Sequence, residues 1–292
     1  MRKSAIISIA IVSIAAFGLL VYYGFTHTRG VPVKLEEIKR AVIAAPHIEK
    51  EIDLSKGIDE EFWAAVPGRE IKLLYQVMIL PWPKVITPSV MVKAFRNDKD
   101  IYFYMTWKDD TENRVVEINR FSDACAVMFP LDEMPQTPTL MMGFLGKANI
   151  WHWKASRDKE YWEQRAKSKE QRITGEEQAL SSMPYADFYY PFEDKETLVV
   201  SKDIVRSAVN DLISVRVATV TPKKSQNVEG RGFWREGVWQ AVFRRSINAP
   251  NPEVDATFKS GKRLCAFAVW NGEKGDRGGR KSISDWVELE VK

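Results

Sequence analysis

The chain has 292 residues, 45% of them hydrophobic and 28% charged, with a formal net charge of +4. That balance excludes a disordered or collagen-like chain, and the small basic excess gives no ground for nucleic-acid binding. Two cysteines and three histidines exclude a disulfide scaffold, a cysteine-ligated zinc site and a cysteine-ligated iron–sulfur cluster. Ten tryptophans are the unusual count; in an all-β domain they suit a flat apolar ligand or a saccharide.

Arg2 and Lys3 precede an uncharged run from Ala5 to Phe25. Its length is close to the ~20 residues that cross a bilayer as a helix, and longer than the ~7–15-residue core of a cleaved signal. No Ala-x-Ala follows it, and Tyr22 and Tyr23 suit an interfacial belt. A retained anchor is the preferred reading and a cleaved signal the alternative. Either one exports the main domain, because basic residues ahead of the run stay in the cytoplasm. The chain thus divides into an anchor or signal at 1–28, a linker at 29–49 and a body at 50–292. Within the linker, Leu35–Ala45 reads as a short helix, with Glu36 and Glu37 ahead of Lys39 and Arg40.

The body reads as all-β. Ile71–Val77 is the first strand. Val90–Arg96 and Ile101–Trp107 flank Asn97-Asp98-Lys99-Asp100 as a hairpin. Asp123–Phe129 is a short apolar strand. Ala148–Lys154 alternates, with Ile150, His152 and Lys154 on one side and Trp151 and Trp153 on the other. Ser156–Gln178 is a charged stretch, either a polar helix or an inserted loop, read first as a solvated face. Thr197–Ser201, Val215–Thr221, Gly237–Arg244, Arg263–Trp270 and Ser284–Val291 complete the strands. With no regular strand–helix alternation, the expected architecture is a β-sandwich. Cys125 and Cys265 each lie in an apolar strand, where they either pair or stay as separate buried thiols.

Hydrolytic and nucleotide motifs are absent: no Gly-x-Ser-x-Gly, no His-Glu-x-x-His and no Gly-rich phosphate loop after a strand. No Cys-x-x-Cys-His attaches a covalent haem. No pair of carboxylates nominates itself for acid–base work. A binding or electron-transfer module fits better than a hydrolase.

Three segments stand out: DACAVMFP from Asp123 to Pro130, PQTPTLMMGFLGKANIWHWKA from Pro135 to Ala155, and FAVWNGEKGDRGGRKSISDWVELEV from Phe267 to Val291. Together they resemble the haem b, or γ, subunits of the type II dimethyl-sulfoxide-reductase family. Relatives there serve ethylbenzene dehydrogenase, dimethyl sulfide dehydrogenase, chlorate and selenate reductases and nitrite oxidoreductase. The resemblance spans roughly Ile52 to Val291 and is specific only in these segments. It implies a β-sandwich holding non-covalent haem b between a methionine and a lysine. Carried onto this chain, the methionine is Met142, with Met141 one residue behind it as fallback, and the lysine is Lys281. It further implies a molybdopterin catalytic subunit and an iron–sulfur subunit as partners, and electron exchange with a cytochrome c or the membrane quinone. The chain itself would turn over no substrate.

Each of these residues also has a plainer reading. A methionine in an apolar loop is usually core filler, and a lysine in a Gly-rich loop a solvated charge. Trp151, Trp153 and Trp270 are core aromatics by default; with haem present, some would line it. His152 is a rival ligand, yet its alternation with two tryptophans turns it away from them, toward solvent. The rival from another class is a carbohydrate-binding sandwich, which needs tryptophans exposed as a platform. A stand-alone membrane-tethered cytochrome b is a third reading.

Overall fold

The computed structural model describes residues 40–77, 80, 82–131, 146–173, 206–215 and 219–292. The apolar run at 5–25, the strand expected at Thr197–Ser201, and Met141 and Met142 lie outside them. Among the described residues no helix is long and apolar enough to cross a membrane.

Fourteen strands are described: β1 (Val42–Ala45), β2 (Gly68–Lys72), β3 (Leu74–Tyr75), β4 (Ser89–Arg96), β5 (Asp100–Lys108), β6 (Ala124–Pro130), β7 (Ala148–Lys154), β8 (Val209–Ser214), β9 (Thr221–Pro222), β10 (Glu229–Arg235), β11 (Val238–Ser246), β12 (Gly261–Trp270), β13 (Ser282–Ile283) and β14 (Val287–Val291). Two helices accompany them, α1 (Glu60–Ala65) and α2 (Ala155–Ile173). One sheet runs β1-β14-β12-β6-β7-β8-β9, with β13 joining β12 to β3; the other runs β10-β11-β5-β4-β2.

The all-β sandwich expected from the strand pattern is what forms. Inward side chains of both sheets meet in one aromatic core. Phe103 on β5 lies 5.6 Å from Phe129 on β6 and 5.8 Å from Trp151 on β7. Trp153 lies 5.1 Å from Trp239 on β11. The hairpin at Asn97 is set by its side chain, whose Oδ1 accepts from the backbone N–H of Lys99 at 2.9 Å and of Asp100 at 2.7 Å. The β10–β11 turn places Glu236 and Gly237 at positive φ, 50° and 78°, the twist that a two-residue hairpin needs.

Several expectations are corrected. The Leu35–Ala45 helix gives way at its described end to β1, which pairs in parallel with β14, Val42 opposite Glu288 and Ala45 opposite Val291. Burying Ile43 and Ala45 against the sheet outweighs the helix preference of an alanine-containing segment, so the sheet begins inside the segment read as a linker. The single strand at Ile71–Val77 is two. The chain breaks at Leu73, whose N–H donates to the Pro88 carbonyl at 2.8 Å. β2 then pairs with β4 in one sheet and β3 with β13 in the other.

The strand expected at Val215–Thr221 lies earlier, at β8. Asn210 and Asp211 hide it in the sequence, because Asp211 is buried only by virtue of its pairing with Lys223 at 2.6 Å and Asn149 at 2.6 Å. β10 was missed because Gly230 and Gly232 read as breakers. A Cβ on Gly232 would lie 2.0 Å from the Trp153 ring, so the glycine is there for close approach.

The charged stretch from Ser156 forms helix α2, and one of its charges is no solvated residue. Asp158 is 3% exposed and accepts from Trp153 Nε1 at 2.9 Å, from the Gly232 N–H at 2.9 Å and from Arg114 at 3.2 Å.

Cys125 and Cys265 are free and buried. Register puts Cys125 opposite Val269, four residues from Cys265. That is roughly 13 Å along the strand, beyond the span of a disulfide.

Candidate functional site

The nine-stranded sheet is buried on its outward side as well. Strand alternation sends Trp151, Trp153, Cys125 and Phe267 inward and places five alanines outward, Ala124 and Ala126 on β6, Ala148 on β7, Ala266 and Ala268 on β12, among larger side chains such as Met128, Ile150 and Trp270. Register aligns one outward row across four strands, Ile283–Ala268–Ala126–His152.

Lys281 reaches this side from the loop between β12 and β13. The loop is a tight construction. Asp276 Oδ2 accepts from the Asn271 N–H at 3.1 Å, and Asn271 Oδ1 from the Lys274 N–H at 2.9 Å. Arg277 and Arg280 exchange backbone hydrogen bonds at 3.0 and 2.9 Å around a turn that begins with Gly278 at φ 54°. Trp270, the last residue of β12, donates its indole N–H to the Gly278 carbonyl at 2.9 Å. The next residue after this turn's arginine is Lys281, and its Nζ lies 4.7 Å from the Trp270 ring centroid.

His152 joins the same group, its ring centroid 4.7 Å from that of Trp270. The expectation that it faces solvent is corrected. It does turn away from Trp151 and Trp153, but the outward side is covered, and its Nε2 is buried with no hydrogen-bond partner among the described residues. Burial pushes the imidazole well below its ordinary pKa, with the positive charges of Lys154, Lys281 and Arg157 adding to the effect. Burial alone pushes the Lys281 amine down to about 8. Lys281 makes no ion pair among the described residues, and desolvation is the one cause of the shift.

Lys281, Trp270 and His152 are thus brought together. Trp151 and Trp153 are not with them; they fill the inter-sheet core, with indole N–H groups bonded to Asn149 at 3.0 Å and Asp158 at 2.9 Å. Met141 and Met142 fall outside the described residues. The alanine face was missed from the sequence, although its signal is present: in DACAVMF and LCAFAVW alternate positions are alanine. Met128, fully buried on the same outward side, was also passed over.

Beneath the loop sits a second group of buried charges. Asp123 accepts from Gly272 N–H at 2.7 Å, Asn113 N–H at 2.7 Å and Trp239 Nε1 at 2.9 Å. Burial, together with neighbouring Asp109, raises its pKa to about 7; burial raises that of Asp276 to about 6.

Among the described residues no three His, Cys, Asp or Glu side chains are placed to hold a metal ion. A porphyrin brings the equatorial donors of its own iron, however, and asks the protein only for axial donors and an apolar bed. A half-buried amine without an acidic partner among the described residues, an orphaned imidazole nitrogen and a mixed apolar face of alanines, aliphatics and tryptophan meet that demand. For a sugar platform, five of the ten tryptophans are unusable, since Trp63, Trp107, Trp151, Trp153 and Trp239 are all at most 2% exposed; Trp82, 53% exposed beside Tyr75, is the exception and lies away from the Lys281 loop in sequence.

Comparison with known proteins agrees. A family model described as ethylbenzene dehydrogenase matches residues 60–282. A protein of Haloferax mediterranei that carries the name respiratory nitrate reductase heme subunit ORF7 is 24% identical over 232 residues, which are 78% of this chain and 66% of that one. The chlorate reductase subunit gamma of Ideonella dechloratans is 21% identical over 232 residues, 78% of this chain and 76% of that one. The aligned stretch is therefore just under two thirds of the first relative's length. Among solved structures, a family 9 carbohydrate-binding module from Caldicellulosiruptor kristjanssonii, bound to cellotriose, has a TM-score of 0.42 at 8% identity, covering 86% of this chain and 93% of that one.

Proposed function

This chain belongs to the ethylbenzene dehydrogenase family, and we propose from that premise that it is a haem b electron-transfer subunit, with Lys281 as one axial ligand. The observation that carries the reading is the Lys281 amine: on a half-buried side chain, set over Trp270, without an acidic partner among the described residues and lowered by desolvation to about 8. A lysine ligates only through its neutral form, and its ordinary pKa of ~10.4 opposes that form. Burial here removes much of the cost before any iron competes for the lone pair.

Met142 is the second ligand in this reading, with Met141 behind it, on the strength of the family resemblance. A thioether is a soft neutral donor and favours a relatively high potential. The haem, when bound, supplies a one-electron couple. Lys281 would hold the iron through its amine, Trp270 keeps the loop that bears it closed through Gly278, and the apolar face would exclude water. Two protein ligands leave no place for oxygen or substrate, so the chain relays electrons and catalyses nothing alone.

The partners are a molybdopterin catalytic subunit and an iron–sulfur subunit, with a cytochrome c or the membrane quinone at the other end. The names of the two relatives, subunits of nitrate and chlorate reductases, support such an assembly. For the complex we favour nitrite oxidation or nitrate reduction. The domain is exported to the periplasmic side and held at the membrane by residues 5–25. A pyridine haemochrome assay on the purified chain tests the cofactor: a b-type spectrum is expected. A protein that stays colourless after haemin is added refutes the reading.

A further inference from the structure

Ten large apolar side chains are exposed among the described residues, and six of them crowd into one short stretch: Leu74, Tyr75, Val77, Leu80, Trp82 and Val85. Leu80 is 74% exposed and Trp82 53%. Scattered exposed apolar residues are ordinary, whereas a contiguous group of this kind marks a surface that meets something. The group is held in shape: the Tyr75 and Trp82 rings lie 5.7 Å apart, and Trp82 Nε1 donates to the Val77 carbonyl at 2.8 Å.

We infer that this surface inserts into the interfacial layer of a lipid bilayer, as a second membrane contact besides the apolar run at 5–25. Charge favours lipid over a protein partner. No acidic residue occurs from Ile71 to Asn97, while Lys72 and Lys84 flank the apolar group. A basic rim around exposed leucine, valine and tryptophan is the composition that beds into anionic headgroups. Topology agrees. β3 pairs with β13, and β1 with β14, both on the same edge of β12. β14 pairs with the Gly261–Cys265 half of β12 and β13 with Ala268–Val269. β1 runs parallel to β14 from Val42, opposite Glu288, to Ala45, opposite Val291. Its first residues therefore lie at the end of the β14 pair that is nearer β13 and β3. The first described strand thus begins on the edge that carries the exposed group.

The test places a single reporter in the full chain. Leu80→Cys is labelled with an environment-sensitive fluorophore; Cys125 and Cys265 are buried and do not compete. The labelled chain is mixed with phosphatidylethanolamine–phosphatidylglycerol vesicles, with and without nitroxide-bearing lipid. The expected result is a blue shift and nitroxide quenching at position 80. An Ile118→Cys control, 92% exposed elsewhere, stays aqueous. Emission at position 80 that remains aqueous and unquenched overturns the inference. So does a blue shift that appears only when partner subunits are added, since the surface would then belong to a protein contact.

Discussion

The Lys281 amine lies 4.7 Å from the ring centroid of Trp270, and the same indole bonds the carbonyl of Gly278 at 2.9 Å. One side chain thus both closes the Gly-rich loop and faces the amine that the loop presents. Trp270→Phe keeps a ring but deletes the hydrogen bond, and should cost about 1 kcal/mol of stability. Trp270→Ala also removes a nearly buried ring and should cost about 3–5 kcal/mol. Urea unfolding of the chain measures both; a Trp270→Phe cost near zero would show that the indole N–H does not matter.

Asp158 ties helix α2 to both sheets through Trp153, Gly232 and Arg114. Asp158→Ala leaves two N–H donors unsatisfied and a guanidinium without its buried partner. The expected loss is about 3–5 kcal/mol. A loss below about 1 kcal/mol, the level of a surface ion pair, would contradict the role given to this residue.

The buried carboxyls give a pH dependence with a definite sign. Asp276 titrates at about 6 in the folded chain and near 3.9 when unfolded. Between those values the folded chain keeps a proton that the unfolded chain has lost, so this group's contribution to stability falls as pH rises from about 4 to about 6 and is level above. Asp123, raised to about 7, extends the same trend to about pH 7. Asp276→Asn should flatten the stability–pH curve between pH 4 and 6 relative to the parent chain. Parallel curves for the two proteins would refute the assignment.

The cysteines offer an inexpensive check. Both thiols are buried, free and raised in pKa by burial. A thiol reagent should find neither in the native chain and both after unfolding, and a reductant should leave Tm unchanged. A Tm that drops with reductant would mean a disulfide that the β6–β12 register forbids.

Much of this was legible in the residues. Alternation in β7 separated His152 from Trp151 and Trp153, and the Asn97 turn announced its hairpin. Lys281 came from the family resemblance rather than from spacing; the structure adds that its side chain is half-buried, faces Trp270 and has no acidic partner among the described residues. What stayed hidden depended on partners distant in sequence. β8 contains Asp211, which looks unburiable until Lys223 and Asn149 are beside it. β10 contains glycines that look like breakers until Trp153 is packed over them. His152 was sent to solvent because alternation tells which face a residue takes but not whether that face is covered. The break at Leu73, where one run serves two sheets, has no local signal at all.

The functional reading turns on Lys281 as an axial ligand to a haem iron. The decisive experiment is the absorption spectrum of the haem-loaded chain, oxidised and dithionite-reduced, for the parent and for Lys281→Ala. A sharp b-type reduced α-band is expected in the parent, and its loss or conversion to a high-spin spectrum in the variant. An unchanged low-spin spectrum in Lys281→Ala would contradict the ligation and pass the axial position to another donor, with His152 the first to be tried.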